Sequence, residues 1–181
     1  MTKLLCDKLC DMRLAEYIQR IDFPLCHMSE VFLIRGNRIL LGKKIKKGGL
    51  GEGYYLGIGG KVESGESFEQ AVIRETKEEI GVDVRSLEPR GAVYFYFPNK
   101  APKEKWNFEV RLYTSEEWGG EPCESQEMVP EWFERSAIPF HTMWDDSRFW
   151  LPYILEGKSI EAHAMFDPAS EKVQEFSIRF V

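Results

Sequence analysis

Apolar residues near the start of the chain fall at helical intervals: Leu5, Leu9 and Met12, then Leu14, Ile18 and Ile21, with charges between them. This spacing predicts an amphipathic helix over residues 3–21, ended by Phe23-Pro24. The period then changes. Two apolar runs, Val31 to Ile34 and Ile39 to Leu41, flank the turn pair Gly36-Asn37 and predict a β-hairpin. KKIKKGGLGEG follows as a basic, glycine-rich loop, and YYLGIGG resumes an extended strand. Phe68, Val72, Thr76 and Ile80 recur every fourth residue, which predicts a helix from about Ser67 to Ile80 with one buried row and Gly81 as its stop. Strands are expected at GAVYFYF, at WNFEVRLYT and around EWFE. A short helix is expected at Ser147–Leu155, with Asp146 or Ser147 as N-cap and Gly157 just past its end. SIEAHAMF and VQEFSIRF complete the pattern as a hairpin around Asp167-Pro168. The order of elements implies an α/β fold, a mixed sheet covered by helices.

Length and charge narrow the functional classes. A chain of 181 residues with an ordinary apolar share suits one compact domain. A formal charge of −6 argues against a nucleic-acid polymer as partner, since backbone phosphates call for a basic face. A small anion bound through a metal stays open. Cys6, Cys10, Cys26 and Cys123 form no CxxC pair and no zinc spacing, so they read as reduced thiols of a cytoplasmic protein. No segment has the apolar length of a membrane span, and charges interrupt the opening MTKLLCDKLCDMRL where a signal peptide needs an apolar run.

The chemistry concentrates on the central helix. Glu75 shares a helical face with Glu78 and Glu79, so the three carboxylates can converge. At roughly 6 Å two such charges repel by about 3 kcal/mol at an effective dielectric of 20, and by under about 1 kcal/mol in water. With Arg74 and Lys77 beside it, a solvated cluster is an ordinary charged face. If it lines a cleft, a divalent cation must neutralise it, and all-oxygen ligands favour Mg²⁺ or Mn²⁺. Lys46, in the basic loop, could meet phosphate, although the loop also suits a solvated hairpin end.

Gly60, five residues, Glu66, seven residues, then RETKEEIGV resembles the Nudix box, GX5EX7REUXEEXGU, where U is a bulky aliphatic. Seven fixed identities arise by chance at a given start on the order of once in 10⁸, with residue frequencies near one in fifteen. Thr76 departs from the pattern by replacing an aliphatic residue; its methyl can pack while its hydroxyl bonds back to the Val72 carbonyl. The resemblance implies hydrolysis of a nucleoside diphosphate linked to another group, on a loop-helix-loop that holds the metal. It makes Glu75 and Glu79 direct ligands, Glu78 a further ligand, and the Gly59 carbonyl a neutral one. Gly60, Glu66, Arg74 and Gly81 would fix the loops, with Arg74, Glu78 and Glu79 in the catalytic set. Glu127, in ESQEMVPEW, matches the carboxylate that related members bring from the opposite loop as a base; an acid in a polar loop is also common surface decoration.

From Val31 to the C-terminus the chain is similar to the oxidised-purine nucleoside triphosphatases of the MutT-homologue group, in LLGKKIKKG, GIGGKV and the stretch from Glu127 to Pro152. This implies residues 1–24 as a helical extension and 25–181 as the Nudix domain, an α/β/α sandwich. Trp144 takes the position that stacks on the purine and Asp146 that of an acid bonding the base edge, with Lys46, Lys61, Phe95 and Phe97 at further substrate positions. Trp144 also suits a core tryptophan beside Phe140 and Trp150, Asp146 a helix cap, and the phenylalanines a strand core. Two positions differ: Ser147 replaces the family's second acid, and Leu56 an asparagine that contacts the base, so base preference is expected to shift or broaden. The implied reaction is Mg²⁺-dependent cleavage of 8-oxo-dGTP or 2-hydroxy-dATP to the monophosphate and pyrophosphate, by a monomer or homodimer. Other Nudix substrates, such as ADP-ribose, dinucleoside polyphosphates or undamaged nucleotides, form one rival. A non-catalytic nucleotide-binding module is the other, and its usual sign, loss of the ligands, is missing here.

Overall fold

The computed structural model describes residues 13–48 and 51–181. The first element among the described residues is a short helix, α1 (Leu14–Gln19), followed by the hairpin β1 (Cys26–Arg35) and β2 (Arg38–Lys44), the short strands β3 (Tyr55–Leu56) and β4 (Ile58–Lys61), and α2 (Phe68–Ile80). Then come β5 (Asp83–Val84), β6 (Glu88–Tyr96), β7 (Asn107–Ser115), β8 (Trp118–Gly119) and β9 (Met128–Glu134). The chain closes with α3 (Ser147–Leu155), β10 (Ile160–Phe166) and β11 (Val173–Phe180). The large sheet runs β11-β10-β6-β7-β1-β2-β3, with β4 added on β1 and β9 on β2; β5 and β8 pair separately. It is mixed, because β1 runs parallel to β7 and β10 parallel to β6 while the other neighbours are antiparallel.

Strand alternation sends successive side chains to opposite faces, and each face is covered by helix. On one side Phe32, Val93, Phe97, Ala162 and Phe166 pack beneath Trp150, Leu151 and Ile154 of α3. On the other, Val31, Leu33, Leu40, Ile58 and Tyr113 meet Val72 and Ile80 of α2. Beside α2 on that second side, Leu14 and Tyr17 of α1 bury against Tyr96 and Met165, with Ile18 and Ile21 alongside. Tyr17 also donates to Asn107 Oδ1 at 3.2 Å, and the Leu14 N–H to Glu175 Oε2 at 3.0 Å. This is the mixed sheet covered by helices that the order of elements implies, and the sandwich that the resemblance implies, with Leu14, Tyr17, Ile18 and Ile21 docked on the sheet.

Gly81 stops α2 as read, and a capping box sets its start. Ser67 Oγ accepts the Gln70 N–H at 3.2 Å while Gln70 Oε1 accepts the Ser67 N–H at 2.9 Å, a capping box. Gly81 closes the helix at φ 77°, a conformation that a side chain disfavours. Thr76, fully buried, donates to the Val72 carbonyl at 2.6 Å, so the residue that departs from an aliphatic satisfies its own hydroxyl within the helix.

Three expectations change in detail. The predicted helix over 3–21 is seen at Leu14–Gln19; Leu5, Leu9 and Met12 lie outside the described residues. YYLGIGG is two strands that part at Gly57, because the Gly57 N–H is taken by the Glu30 carboxylate at 2.7 Å, so β3 pairs with β2 and β4 with β1. The basic loop is tied at its base, where the Ile45 and Lys46 N–H groups both donate to the Glu127 carbonyl, at 2.8 and 3.3 Å. Among the described residues no helix is long and apolar enough to cross a membrane.

Candidate active site

The site begins where β4 turns toward α2. A Cβ at Gly59 would lie 2.1 Å from the Ser29 carbonyl oxygen, and one at Gly60 would lie 2.5 Å from the Glu75 carboxyl carbon. At residue 59 only glycine lets the backbone lie this close to β1, while a side chain at residue 60 would displace the Glu75 carboxylate. Arg74 then locks the loop to the helix. It donates from Nε and Nη2 to the two oxygens of Glu66 at 2.7 and 3.0 Å, from Nη2 to the Lys61 carbonyl at 3.1 Å, and from Nη1 to Glu75 at 2.8 Å and Glu78 at 3.2 Å. The bidentate fork holds the Glu66 carboxyl down at about 2. The loop-fixing pair thus sits where the box spacing puts it.

The acidic face divides into three environments. Glu78 is largely exposed, Glu75 lies against Gly60, and Glu79 is buried at 3 % exposure. Glu79 accepts from Lys44 Nζ at 3.2 Å through one oxygen and from the Gly59 N–H at 3.1 Å through the other. Burial pushes its carboxyl up to about 7, against the pull of Lys44 and the Gly59 N–H. The carboxylates do not meet at one point: among the described residues no three His, Cys, Asp or Glu side chains converge, because Arg74 and Lys44 draw them apart as counter-charges. The donor set nonetheless fits a hard divalent cation. Glu75 and Glu79 flank the Gly59-Gly60 backbone, every donor is oxygen, and Lys44 compensates the buried Glu79 charge only in part.

At Glu75 this face borders a cavity of about 390 Å³ between the sheet and the segment that leads into α3. Lys44, Lys46, Gly59, Gly60, Lys61, Glu75 and Glu127 line it together with Leu56, Phe95, Phe97, Trp144 and Asp146. Lys46 and Glu127 pair at 2.5 Å, both well exposed. Lys61 reaches the Arg74 lock through its backbone carbonyl. Trp144 is half-buried, edge-on to Phe97 at 6.2 Å and Phe166 at 5.7 Å and tilted against Tyr54 at 5.3 Å, so it is core packing and cavity wall at once. Phe97 is stacked on Phe166 in the same way.

Asp146 stands at the N-cap of α3 without capping through its side chain. One of its carboxyl oxygens accepts Trp150 Nε1–H at 2.6 Å, and the other is buried without a partner. Burial pushes this carboxyl up to about 7. Ser147, where a second acid is expected in the family, is buried at the first turn of the helix.

Sequence reasoning passed over two residues. Lys44 is the second residue after Gly42 on β2, on the face toward α2, and reads from the chain as one more lysine of a basic run. Glu30 lies within the apolar β1, two residues before Phe32, and period-two alternation alone would have turned it into the cavity. Its carboxyl is pushed up to about 7, first by burial, with Asp146 and Glu79 adding repulsion and the Gly57 N–H opposing.

Comparison with known proteins bears on family and fold. A model of the NUDIX domain family matches residues 29–154. The chain is 38% identical over 139 residues to an oxidized purine nucleoside triphosphate hydrolase of Danio rerio, covering 77% of this chain and 85% of that protein. It is 34% identical over 151 residues to the protein of the same name from Mus musculus, covering 83% and 92%. Among solved structures, the MutT protein from Bacillus halodurans superposes with a TM-score of 0.72 at 20% identity, over 85% of this chain and 97% of that one.

Proposed function

The chain belongs to the NUDIX family, and from that premise we propose that it hydrolyses oxidised purine nucleoside triphosphates, such as 8-oxo-dGTP or 2-hydroxy-dATP, to the monophosphate and pyrophosphate. One observation carries the reading: Glu75 and the Gly59-Gly60 backbone of the box line the same cavity as the aromatic pocket with Trp144 and Asp146, so a diphosphate at one end places a base at the other. Glu75, Glu79 and the Gly59 carbonyl would hold a divalent cation, Mg²⁺ with Mn²⁺ as substitute, and Glu78 would assist from the exposed side. When bound, the cation supplies Lewis-acid charge to the diphosphate and to the attacking water.

The chain's own groups do the rest. Arg74 holds the loop rigid through Glu66, while Glu75 and Glu79 would turn from Arg74 and Lys44 toward the cation. Lys44 and Lys46 present positive charge to phosphate oxygens at the mouth. Glu127, paired with Lys46, takes the proton of the water as general base once phosphate draws the lysine away. Trp144 stacks on the base, and the free oxygen of Asp146 bonds its edge. Leu56 supplies apolar surface alone, so base selection falls to the carboxyl groups. Measuring kcat/KM for 8-oxo-dGTP, 2-hydroxy-dATP, dGTP, dATP and ADP-ribose with Mg²⁺ tests this. The oxidised purines should lead; a lead for ADP-ribose would refute the substrate.

A further inference from the structure

Glu30 is an acid in the cavity that the chemistry above leaves unused. It lines the same space as Asp146, and the two carboxyls are arranged alike. Each has one oxygen pinned by an N–H of the protein: Glu30 Oε1 by Gly57 at 2.7 Å, and Asp146 Oδ2 by Trp150 Nε1 at 2.6 Å. The second oxygen of Asp146 is buried without a partner, and among the described residues nothing bonds the second oxygen of Glu30. The Glu30 side chain is also shaped into place. A Cβ at residue 57 would come within 2.5 Å of its Cγ, so the strand break at Gly57 leaves room for the acid to lie against the backbone.

Two acids in one largely apolar cavity are costly, and packing does not recover that cost. A ligand that donates hydrogen bonds to the free oxygens does. Around them Leu56, Phe95 and Phe97 offer no polar atom, so the base end of the cavity is rich in acceptors. A guanine-type edge, with a ring N–H next to an exocyclic amino group, meets acceptors with donors throughout. An adenine-type edge places a ring acceptor beside its amino group and leaves one carboxyl oxygen opposed. We propose that Glu30 is a base-reading residue that, with Asp146, forms a two-carboxyl clamp for the N–H donors of a guanine-type purine, which deepens and rests on the substrate reading above.

Glu30→Gln is the informative variant. Its amide oxygen still accepts the Gly57 N–H, and its NH₂ replaces the free oxygen, so the brace is kept while the group facing the base changes from acceptor to donor. Binding of 8-oxo-dGMP and dAMP is measured by calorimetry without metal at about pH 8.5, where both carboxyls are ionised, with kcat and KM for the triphosphates alongside. Loss of a hydrogen bond to a charged group weakens binding by roughly tenfold to a hundredfold. The affinity ratio of 8-oxo-dGMP to dAMP should therefore fall at least tenfold, KM for 8-oxo-dGTP should rise while kcat holds, and the melting temperature should stay within a few degrees. A smaller change in the ratio overturns the assignment and leaves Glu30 as a brace for Gly57. Should the unmodified protein prefer ADP-ribose, the substrate reading falls and this inference with it; loss of selectivity in the variant alone cannot produce that result.

Discussion

Replacing Glu79 by Gln should stabilise the metal-free protein and abolish most of its turnover. The carboxyl is 3 % exposed, and burial raises it from 4.5 to about 7 after the attraction of Lys44 and the Gly59 N–H has been included. At 1.36 kcal/mol per tenfold, that rise is about 3 kcal/mol. Because the folded value lies above the unfolded one, the protonated acid's stability is fully present below pH 4.5 and is lost as pH climbs to about 7. Glutamine keeps the volume and the acceptor for Gly59 and has no charge to desolvate. The difference in melting temperature between variant and parent, taken in EDTA, should therefore be near zero at pH 4.5 and grow to several degrees at pH 8, with about 6–12 °C as the bound. Excess Mg²⁺ should reverse the order by stabilising the parent, by about 4.1 kcal/mol at a thousandfold over its Kd, and the variant far less. Turnover should fall at least about a hundredfold, since even groups that merely support a ligand are worth 10 to 100-fold. Scanning fluorimetry and pyrophosphate release read both. A variant that is less stable at pH 8 without metal, or nearly as active as the parent, refutes the role given to this buried charge.

Trp144→Ala should lower kcat/KM at least about tenfold for every purine substrate, the lower range for a lost stacking contact, and unchanged rates for oxidised purines would remove Trp144 from the base site. Asp146, raised from 3.8 to about 7, contributes stability that is present below pH 3.8 and lost by about pH 7; Asp146→Asn should flatten that part of the stability profile relative to the parent, and parallel urea-unfolding profiles would contradict it. Deleting residues 1–22 removes the burial of Leu14 and Tyr17, each worth about 1.5–3 kcal/mol before ordering costs, so the melting temperature should drop while metal-dependent hydrolysis persists. A folded but inactive truncation would place α1 in the catalytic apparatus.

What the chain discloses by itself is what depends on near neighbours. The capping box of Ser67 and Gln70, the left-handed stop at Gly81 and the Thr76 bond to Val72 each close within a turn of helix. Glu66 and Arg74 lie eight residues apart at box positions whose family resemblance implies their lock, and the two hairpins announce themselves as strand-like runs around short turns. Tertiary structure decided the rest. Whether the acidic face is solvated or buried depends on β2 bringing Lys44 to Glu79 from 35 residues away, and the cavity mouth on Lys46 meeting Glu127 across 81. Asp146 has its eventual partner only four residues ahead, yet a local rule assigns it to the helix end; Trp150 buried in the core turns it inward. Glu30 is the extreme case, since an acid in an apolar strand has no meaning until β3 and β4 part at Gly57 to receive it. Burial and the charge it perturbs are collective properties of segments distant in sequence, whereas caps, turns and box spacing are fixed by bonds between neighbours.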